Sequence, residues 1–228
     1  MSITIQNTTA EALLPTIADN SINLIIIDPP YIMQTDGGSK LRAKVKNWDK
    51  MHGQKENLAE GFDFGLFKEF RRVQPFLNMY IFCNVKLLQK LMTYFDSVGF
   101  DRLELLVLHK QNPLPAYNSH YLVDLEYCLF VCENKSYMFN DSYENSSKVF
   151  SYQIPYYKYT AHPTEKPLDI VERLVRNSSK ESDLVLDCFS GSGTTAHACK
   201  ISNRKFIGSE INAEYYKESL QRVQSIMF

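Results

Sequence analysis

A chain of 228 residues with 44% hydrophobic and 22% charged residues is long enough for one sizeable core and too apolar to be disordered. Its net charge of −1 gives no global sign of a polyanionic partner, and no stretch approaches the roughly 18 uncharged apolar residues that a membrane span needs. The first residues carry neither a basic start nor a long apolar run, so a cytoplasmic protein without membrane attachment is expected.

Apolar runs alternate with helical patterns along almost the whole chain, which predicts an α/β fold with a mostly parallel sheet and helices on both faces. Helices are predicted where apolar residues recur at helical spacing, around 85–95, 170–175 and 213–223, and Gly99 predicts the stop of the first. Seven strands are predicted, at residues 3–6, 22–27, 79–83, 103–108, 127–132, 184–188 and 205–209.

The second predicted strand leads directly into Asp28-Pro29-Pro30-Tyr31. Strands buried on both faces form continuous apolar runs, so this tetrapeptide should lie at a strand's carboxyl end, where open α/β sheets bind ligands. An acid, two rigid prolines and an aromatic ring at such an edge form a candidate active site. Taken alone, the four residues are explained equally well by a Pro-Pro turn with a chance tyrosine.

The segment after the tetrapeptide is locally basic although the whole chain is not. Between residues 32 and 55 it holds six basic residues against two acids. Most charge runs are solvated surfaces, but a basic loop beside a candidate site is also suited to binding the phosphates of a nucleic acid. The residues predicted to contact DNA are Lys40, Arg42, Lys44, Lys46, Trp48 and Lys50.

The stretch 134–161 also interrupts the alternation, since it is polar and rich in tyrosine, and it is expected to lie outside the core. With the loop insertion at 32–63, it leaves a single domain over residues 1–228. The five cysteines lie mostly in apolar runs and are expected to be buried, reduced thiols. Neither they nor the histidines are spaced as metal ligands, so no metal is predicted.

Residues 184–195 predict a strand ending at Asp187, a turn through Gly191 and Gly193, and then a helix. Glycines at such a turn let the backbone approach a ligand closely, and the helix N-terminus adds partial positive charge. Glu210 follows the last predicted strand and is suited to accept hydrogen bonds from ribose hydroxyls. Both elements fit a nucleoside-bearing cofactor. The turn lacks the last glycine of a dinucleotide site, which disfavours an oxidoreductase without excluding it.

With these motifs in view, the chain resembles the amino-methylating DNA methyltransferases, which use S-adenosylmethionine. The resemblance covers nearly the whole chain, and the motif order, tetrapeptide first and cofactor turn last, is similar to the permuted group called the beta class. The matching segments are Asp28-Pro29-Pro30-Tyr31, Phe189-Ser190-Gly191-Ser192-Gly193, His162-Pro163-Thr164-Glu165-Lys166-Pro167 and Arg204 through Tyr215, with weaker matches at 47–49, 109–113 and 126–127.

The resemblance implies a circularly permuted, Rossmann-like methyltransferase sheet. The strand ending at Asp187 would be central, flanked by the strands that precede Glu210 and Asp28, which would make the tetrapeptide and the glycine turn neighbours. It also implies that the four residues of the tetrapeptide are catalytic. The implied cofactor residues are Asp187, Phe189, Gly191, Gly193, Thr194, Thr195 and Glu210, with Thr164 and Lys166 at the methionine end.

The implied activity is site-specific methylation of the N6 amino group of a flipped-out adenine in DNA, as in restriction–modification. Within the family an aspartate at the head of the tetrapeptide favours adenine and a serine favours cytosine. Methylation of cytosine N4, of RNA or of protein glutamine stays open, as does a nucleic-acid-binding protein without catalysis. The resemblance makes residues 134–161 the region expected to recognise the target sequence, and this region is short. A homodimer or a helper subunit is therefore a hypothesis worth testing.

Two positions depart from the family pattern. Cys188 stands where the family commonly has proline, a change expected to matter little because the position should face the core. Asn7 stands where an aspartate usually precedes the first helix, which puts one cofactor contact in doubt.

Overall fold

The computed structural model describes residues 2–30, 62–100, 102–113, 121–133, 143–154 and 165–226. They form one eight-stranded sheet with five parallel and two antiparallel strand pairs, which confirms the mostly parallel α/β class. The strands are β1 (Ile3–Gln6), β2 (Leu24–Ile27), β3 (Asn78–Cys83), β4 (Leu103–Lys110), β5 (Leu125–Cys132), β6 (Val149–Tyr152), β7 (Leu184–Asp187) and β8 (Lys205–Ser209).

The sequence predicts seven strands, and the described residues form eight. The additional strand, β6, lies within the stretch 134–161 and pairs with the edge of β4, so part of that stretch belongs to the sheet. Phe150 packs into the core, contrary to the expectation that the whole stretch lies outside it. Like the predicted edge strand β1, β6 has four residues and one buried side chain, but it lies in a polar, tyrosine-rich stretch, which is why the pattern misses it.

Helices cover both faces of the sheet, as predicted. In β2, Ile25 and Ile27 join one apolar cluster while Leu24 and Ile26 join the other. The first cluster includes residues of α1, α2 and α3, and the second includes residues of α4, α5 and α6. The helices are α1 (Ala10–Leu13), α2 (Leu66–Val73), α3 (Val85–Ser97), α4 (Leu168–Ser178), α5 (Thr194–Ile201) and α6 (Ala213–Gln224), with 3-10 turns at Leu14–Thr16 and Glu144–Ser146.

The helix α3 forms where the spacing of Val85, Leu88, Leu91, Met92 and Phe95 predicts it, and its buried face overlaps that set in part. Leu87, Leu91 and Phe95 are buried at four-residue intervals. Val85 and Met92, which the pattern assigns to the apolar face, are 63% and 48% exposed. No helix in the described ranges combines the length and the apolar character that a membrane crossing requires.

The strand order is β1-β8-β7-β2-β3-β5-β4-β6. The predicted central position of β7, between β8 and β2, is therefore confirmed. The first five strands in this order run parallel, so their carboxyl ends lie at one edge of the sheet. From β7 the chain continues to β8 on one side, while β2 continues to β3 on the other. This reversal between β7 and β2 is the place where open α/β sheets bind ligands.

Candidate active site

Three carboxylates meet at that reversal point. Asp28 follows β2, Asp187 is the last residue of β7, and Glu210 follows β8. Asp187 and Glu210 are buried, whereas the Asp28 side chain is 23% exposed. The charges of Asp28 and Glu210 both act to raise the pKa of Asp187, so the three groups share one electrostatic environment. Such an arrangement favours a cationic ligand.

The pKa of the Asp187 carboxyl is strongly raised. Burial raises the pKa of its carboxyl to about 7, although hydrogen bonds from the Thr195 side chain and from the Phe189 amide act in the opposite direction. The Phe189 amide nitrogen lies 3.0 Å from Oδ1. Near neutral pH, this carboxyl therefore gains or loses a proton readily when charge nearby changes.

Glu210 joins the glycine turn to the exit of β8. Its Oε2 accepts a hydrogen bond from the Gly191 amide at 2.7 Å, and its Oε1 accepts one from the Asn212 amide at 2.8 Å. Burial raises the pKa of Glu210 despite these amide donors. Asn7 donates from Nδ2 to the carbonyl oxygens of Glu210 and Ile211, at 2.7 and 3.1 Å. An aspartate could not donate there, so the departure at Asn7 has a structural use.

The turn itself depends on Gly193. Its φ of +73° is in the left-handed region, which glycine tolerates best. A Cβ at this position would lie 2.7 Å from the Cβ of Ser219 on α6. The glycine is therefore required by the packing of α6 behind the turn, independently of any ligand. Thr194 and Thr195 follow it, buried at the start of α5.

Arg222 on α6 connects three elements behind the turn, and sequence reasoning misses it. Its Nη1 lies 2.9 Å from Glu165 Oε1, 2.9 Å from Thr194 Oγ1 and 3.2 Å from the Ser192 carbonyl oxygen. Its Nε donates to Nδ1 of His197 at 3.1 Å, and burial followed by the Arg222 charge lowers the pKa of His197 to about 4. A charged residue on the core-facing side of α6 is the signal that could have indicated it.

On the other side of the site, the Lys166 ammonium contacts the Asp28 carboxylate. Its Nζ lies 2.5 Å from Asp28 Oδ2 and 4.0 Å from Glu126 Oε2, and Lys110 Nζ lies 2.7 Å from Glu126 Oε1. Burial lowers the pKa of Lys166, but the charges of Asp28 and Glu126 outweigh it, so the net pKa is raised. The sequence includes Lys110 and Glu126 only among weak family matches and assigns them no role.

Comparison with known proteins places this chain in a family. The sequence profile of the N6/N4 methyltransferases, described as DNA methylase, matches residues 22–221. The chain belongs to this family. M.HinfI, a type II methyltransferase of Haemophilus influenzae, is 26% identical over 238 residues, which are 93% of this chain and 66% of that enzyme. The family resemblance is thereby confirmed, and with it S-adenosylmethionine as the cofactor of this N6/N4 methyltransferase.

Solved structures share the fold of this N6/N4 methyltransferase. The M1.HpyAVI–SAM complex is 25% identical with a TM-score of 0.71, over 96% of this chain and 99% of that one. The PvuII DNA methyltransferase, described as cytosine-N4-specific, is 16% identical with a TM-score of 0.72, over 100% of this chain and 89% of that one. At 16% identity the second comparison shows the fold alone.

The structure brings together the predicted residues that it describes. Within this methyltransferase, Pro29 is buried and Pro30 half-buried beside Asp28, and Cys188 faces the core as expected. All five cysteines are buried and unbridged. The predicted residues that lie outside the described ranges are Tyr31, Lys40, Arg42, Lys44, Lys46, Trp48, Lys50 and Thr164.

Proposed function

We propose that this methyltransferase transfers a methyl group from S-adenosylmethionine to the N6 amino group of adenine in a specific DNA sequence, on a base flipped out of the duplex. One observation carries the proposal. The Asp28 carboxylate lies at the end of β2, and β2 pairs directly with β7, which ends in Asp187 beside the glycine turn. The carboxylate proposed to orient the nucleobase and the proposed cofactor pocket are thus neighbours at the reversal point of the sheet.

The residues around the turn fit the cofactor by their chemistry. S-adenosylmethionine supplies an electrophilic methyl group on a positively charged sulfur. In their ionised form, which a nearby cation favours, the carboxylates of Asp187 and Glu210 suit a cation that also carries ribose hydroxyls, since ionised carboxylates only accept hydrogen bonds. We assign cofactor binding to Asp187, Phe189, Gly191, Gly193, Thr194, Thr195 and Glu210, with Thr164 at the methionine end.

Asp28 activates the substrate by orienting it. The lone pair of an exocyclic amino group is delocalised into the base, so the amine is a poor nucleophile. Asp28 can accept one N–H hydrogen bond, and the rigid backbone of Pro29-Pro30 can direct a carbonyl oxygen at the other. Two fixed acceptors favour a pyramidal nitrogen with a directed lone pair. The amine becomes acidic only after methylation, so its proton leaves late and Asp28 need not be a strong base.

The remaining assignments concern DNA. We propose that Tyr31 stacks on the flipped base and that the basic segment binds phosphates through Lys40, Arg42, Lys44, Lys46 and Lys50, with Trp48 beside them. Since β6 uses part of the stretch 134–161, few residues are left for base recognition. We therefore also propose that a second copy or a helper subunit contributes DNA contacts. Light scattering that finds an active monomer alone on its site would contradict that part.

The base is identified by nucleoside analysis. The purified protein is incubated with DNA and S-adenosylmethionine labelled in the methyl group, and the DNA is digested and separated by mass. We expect N6-methyladenine, because an aspartate heads the tetrapeptide. Detection of N4-methylcytosine would mean that the substrate is cytosine and not adenine. The fold shared with the PvuII enzyme also accommodates that reaction. Label in RNA or protein but not in DNA would overturn the proposal.

A further inference from the structure

The contact between Lys166 and Asp28 brings together residues that are 138 positions apart in the sequence. The Lys166 side chain is 9% exposed and lies 5.2 Å above the centre of the Phe82 ring, so its ammonium is largely removed from water. Burying a charge is costly unless it is paired and hydrogen-bonded. A buried ion pair contributes little net stability, so the contact of this ammonium with the proposed catalytic carboxylate points to a role in orienting that carboxylate.

Four charged groups alternate in sign along this part of the site. Lys110 contacts Glu126, Glu126 lies within 4.0 Å of Lys166, and Lys166 contacts Asp28. Lys110 lies on β4 and Glu126 on β5, and the antiparallel pairing of these two strands brings the two residues close together. Both anions attract Lys166. Glu126 attracts the ammonium from the side of the sheet, and Asp28 forms the direct contact with it.

The backbone that carries Lys166 is also held in place. Its neighbour Glu165 forms a buried ion pair with Arg222, which in turn contacts the glycine turn through Thr194. The Lys166 main chain is thereby linked to the cofactor side of the site, and its ammonium is attracted by Glu126 at 4.0 Å as well as by Asp28 at 2.5 Å. Both constraints direct the side chain towards Asp28.

We propose that Lys166 is a positioning residue for Asp28, held by Glu126, and not a ligand of the cofactor's methionine end. The inference rests on the proposed function. An ammonium at Oδ2 uses one of the about four acceptor positions of a carboxylate and fixes the orientation of the other oxygen. That oxygen then accepts the hydrogen bond from the amino group of the base. Misplacing a reacting group by about 1 Å can cost about 100-fold in rate, so this orientation matters for turnover.

The test compares Lys166→Met with Lys148→Met, because both remove a lysine that pairs with a carboxylate. Lys148 pairs with Glu104 at 3.0 Å, and Glu104 lies at the beginning of β4, at the opposite end from Lys110. For each variant we would measure kcat on DNA, the Kd of S-adenosylhomocysteine by calorimetry, and the Tm. We expect Lys166→Met to lower kcat by about 100-fold with the Kd within about threefold.

Glu126→Gln and Lys166→Arg complete the design. We expect Glu126→Gln to lower kcat by about tenfold, and the double variant with Lys166→Met to be no slower than Lys166→Met alone, because Glu126 acts through Lys166. Lys166→Arg should recover part of the rate. If Lys166→Met does not fold, Glu126→Gln still decides, since unchanged kcat there would overturn the proposal.

Three results would overturn the inference. One is a Kd for S-adenosylhomocysteine that rises more than about tenfold in Lys166→Met, which would place Lys166 at the cofactor. Another is a kcat of Lys166→Met that equals the kcat of the control variant Lys148→Met. A third is a double variant much slower than Lys166→Met. A wild-type protein that methylates no DNA would refute the proposed function instead, and the calorimetric comparison would still decide where Lys166 acts.

Discussion

The two halves of the site are built in different ways. The proposed cofactor half, at β7 and β8, is organised by backbone groups: a glycine turn, amide donors to the carboxylates of Glu210 and Asp187, and α6 packed behind Gly193. The proposed catalytic half, after β2, contains an ion pair between side chains distant in sequence, Lys166 and Asp28. A backbone pocket is specified by a local motif, whereas the orientation of one carboxylate is specified by tertiary contacts. Variants in the two halves should therefore fail differently.

The largest effect is expected in the catalytic half. Asp28→Ala removes the acceptor that orients the amino group, and we expect methyl transfer to fall by about 1000-fold or more. The Kd of S-adenosylhomocysteine should stay within a few fold, because the backbone pocket is untouched. Labelled methyl transfer and calorimetry on the same preparation measure both. Turnover near the wild-type value would remove Asp28 from the mechanism.

In the cofactor half, Gly193→Ala should damage folding and cofactor binding together. The left-handed φ of +73° costs about 1–2 kcal/mol for alanine, and the collision with Ser219 adds about 1–3 kcal/mol. Gly99→Ala is the matched control, since Gly99 has the same φ of +73° with nothing within 4 Å of an added Cβ. Denaturant unfolding should show the larger loss at Gly193. Equal losses of unfolding free energy at both sites would mean that α6 shifts at little cost to make room for the added methyl group.

A pH effect is expected from Asp187 in the cofactor-free protein. Its pKa is about 7 when folded against the ordinary value of 3.8, so between these values the folded state holds the proton more tightly than the unfolded state. Stability contributed by this group is thus present below about pH 4 and is lost as pH rises to about 7. Asp187→Asn should gain stability relative to wild type over that window, by at most about 4 kcal/mol. A difference in unfolding free energy that is flat from pH 5 to 8 would contradict it.

The smallest effect is expected at Tyr31. Stacking on an aromatic ring is worth about 1–3 kcal/mol per base, so Tyr31→Ala should weaken the flipped-base complex by that amount. The fluorescence of 2-aminopurine at the target position reports flipping. Tyr31→Phe keeps the ring and should retain the signal. A signal unchanged in Tyr31→Ala would argue against stacking.

The sequence predicts the site unevenly, and the reason lies in how far apart the contacting residues are. Asp28 and the glycine turn stand out because a buried strand, a turn and a helix are all patterns of neighbouring residues. Arg222 and Glu126 do not, because a charge in a helix or strand shows no pattern that identifies its partner. The family motif predicts Lys166 at the methionine end of the cofactor, and it does not predict the contact between Lys166 and Asp28.

By itself, the sequence determined the α/β class and seven of the eight strands in the described ranges. These follow from burial, which imposes a period on apolar residues, and from turns, which need particular residue types. The family resemblance implied the central position of β7 and the pairing of the tetrapeptide with the glycine turn. Only the tertiary structure decided the edge strand β6, the exposure of Val85 and Met92 on α3, and the ion pairs at Asp28 and Arg222. Partner choice among charges depends on distance and burial in three dimensions, and no local pattern encodes either.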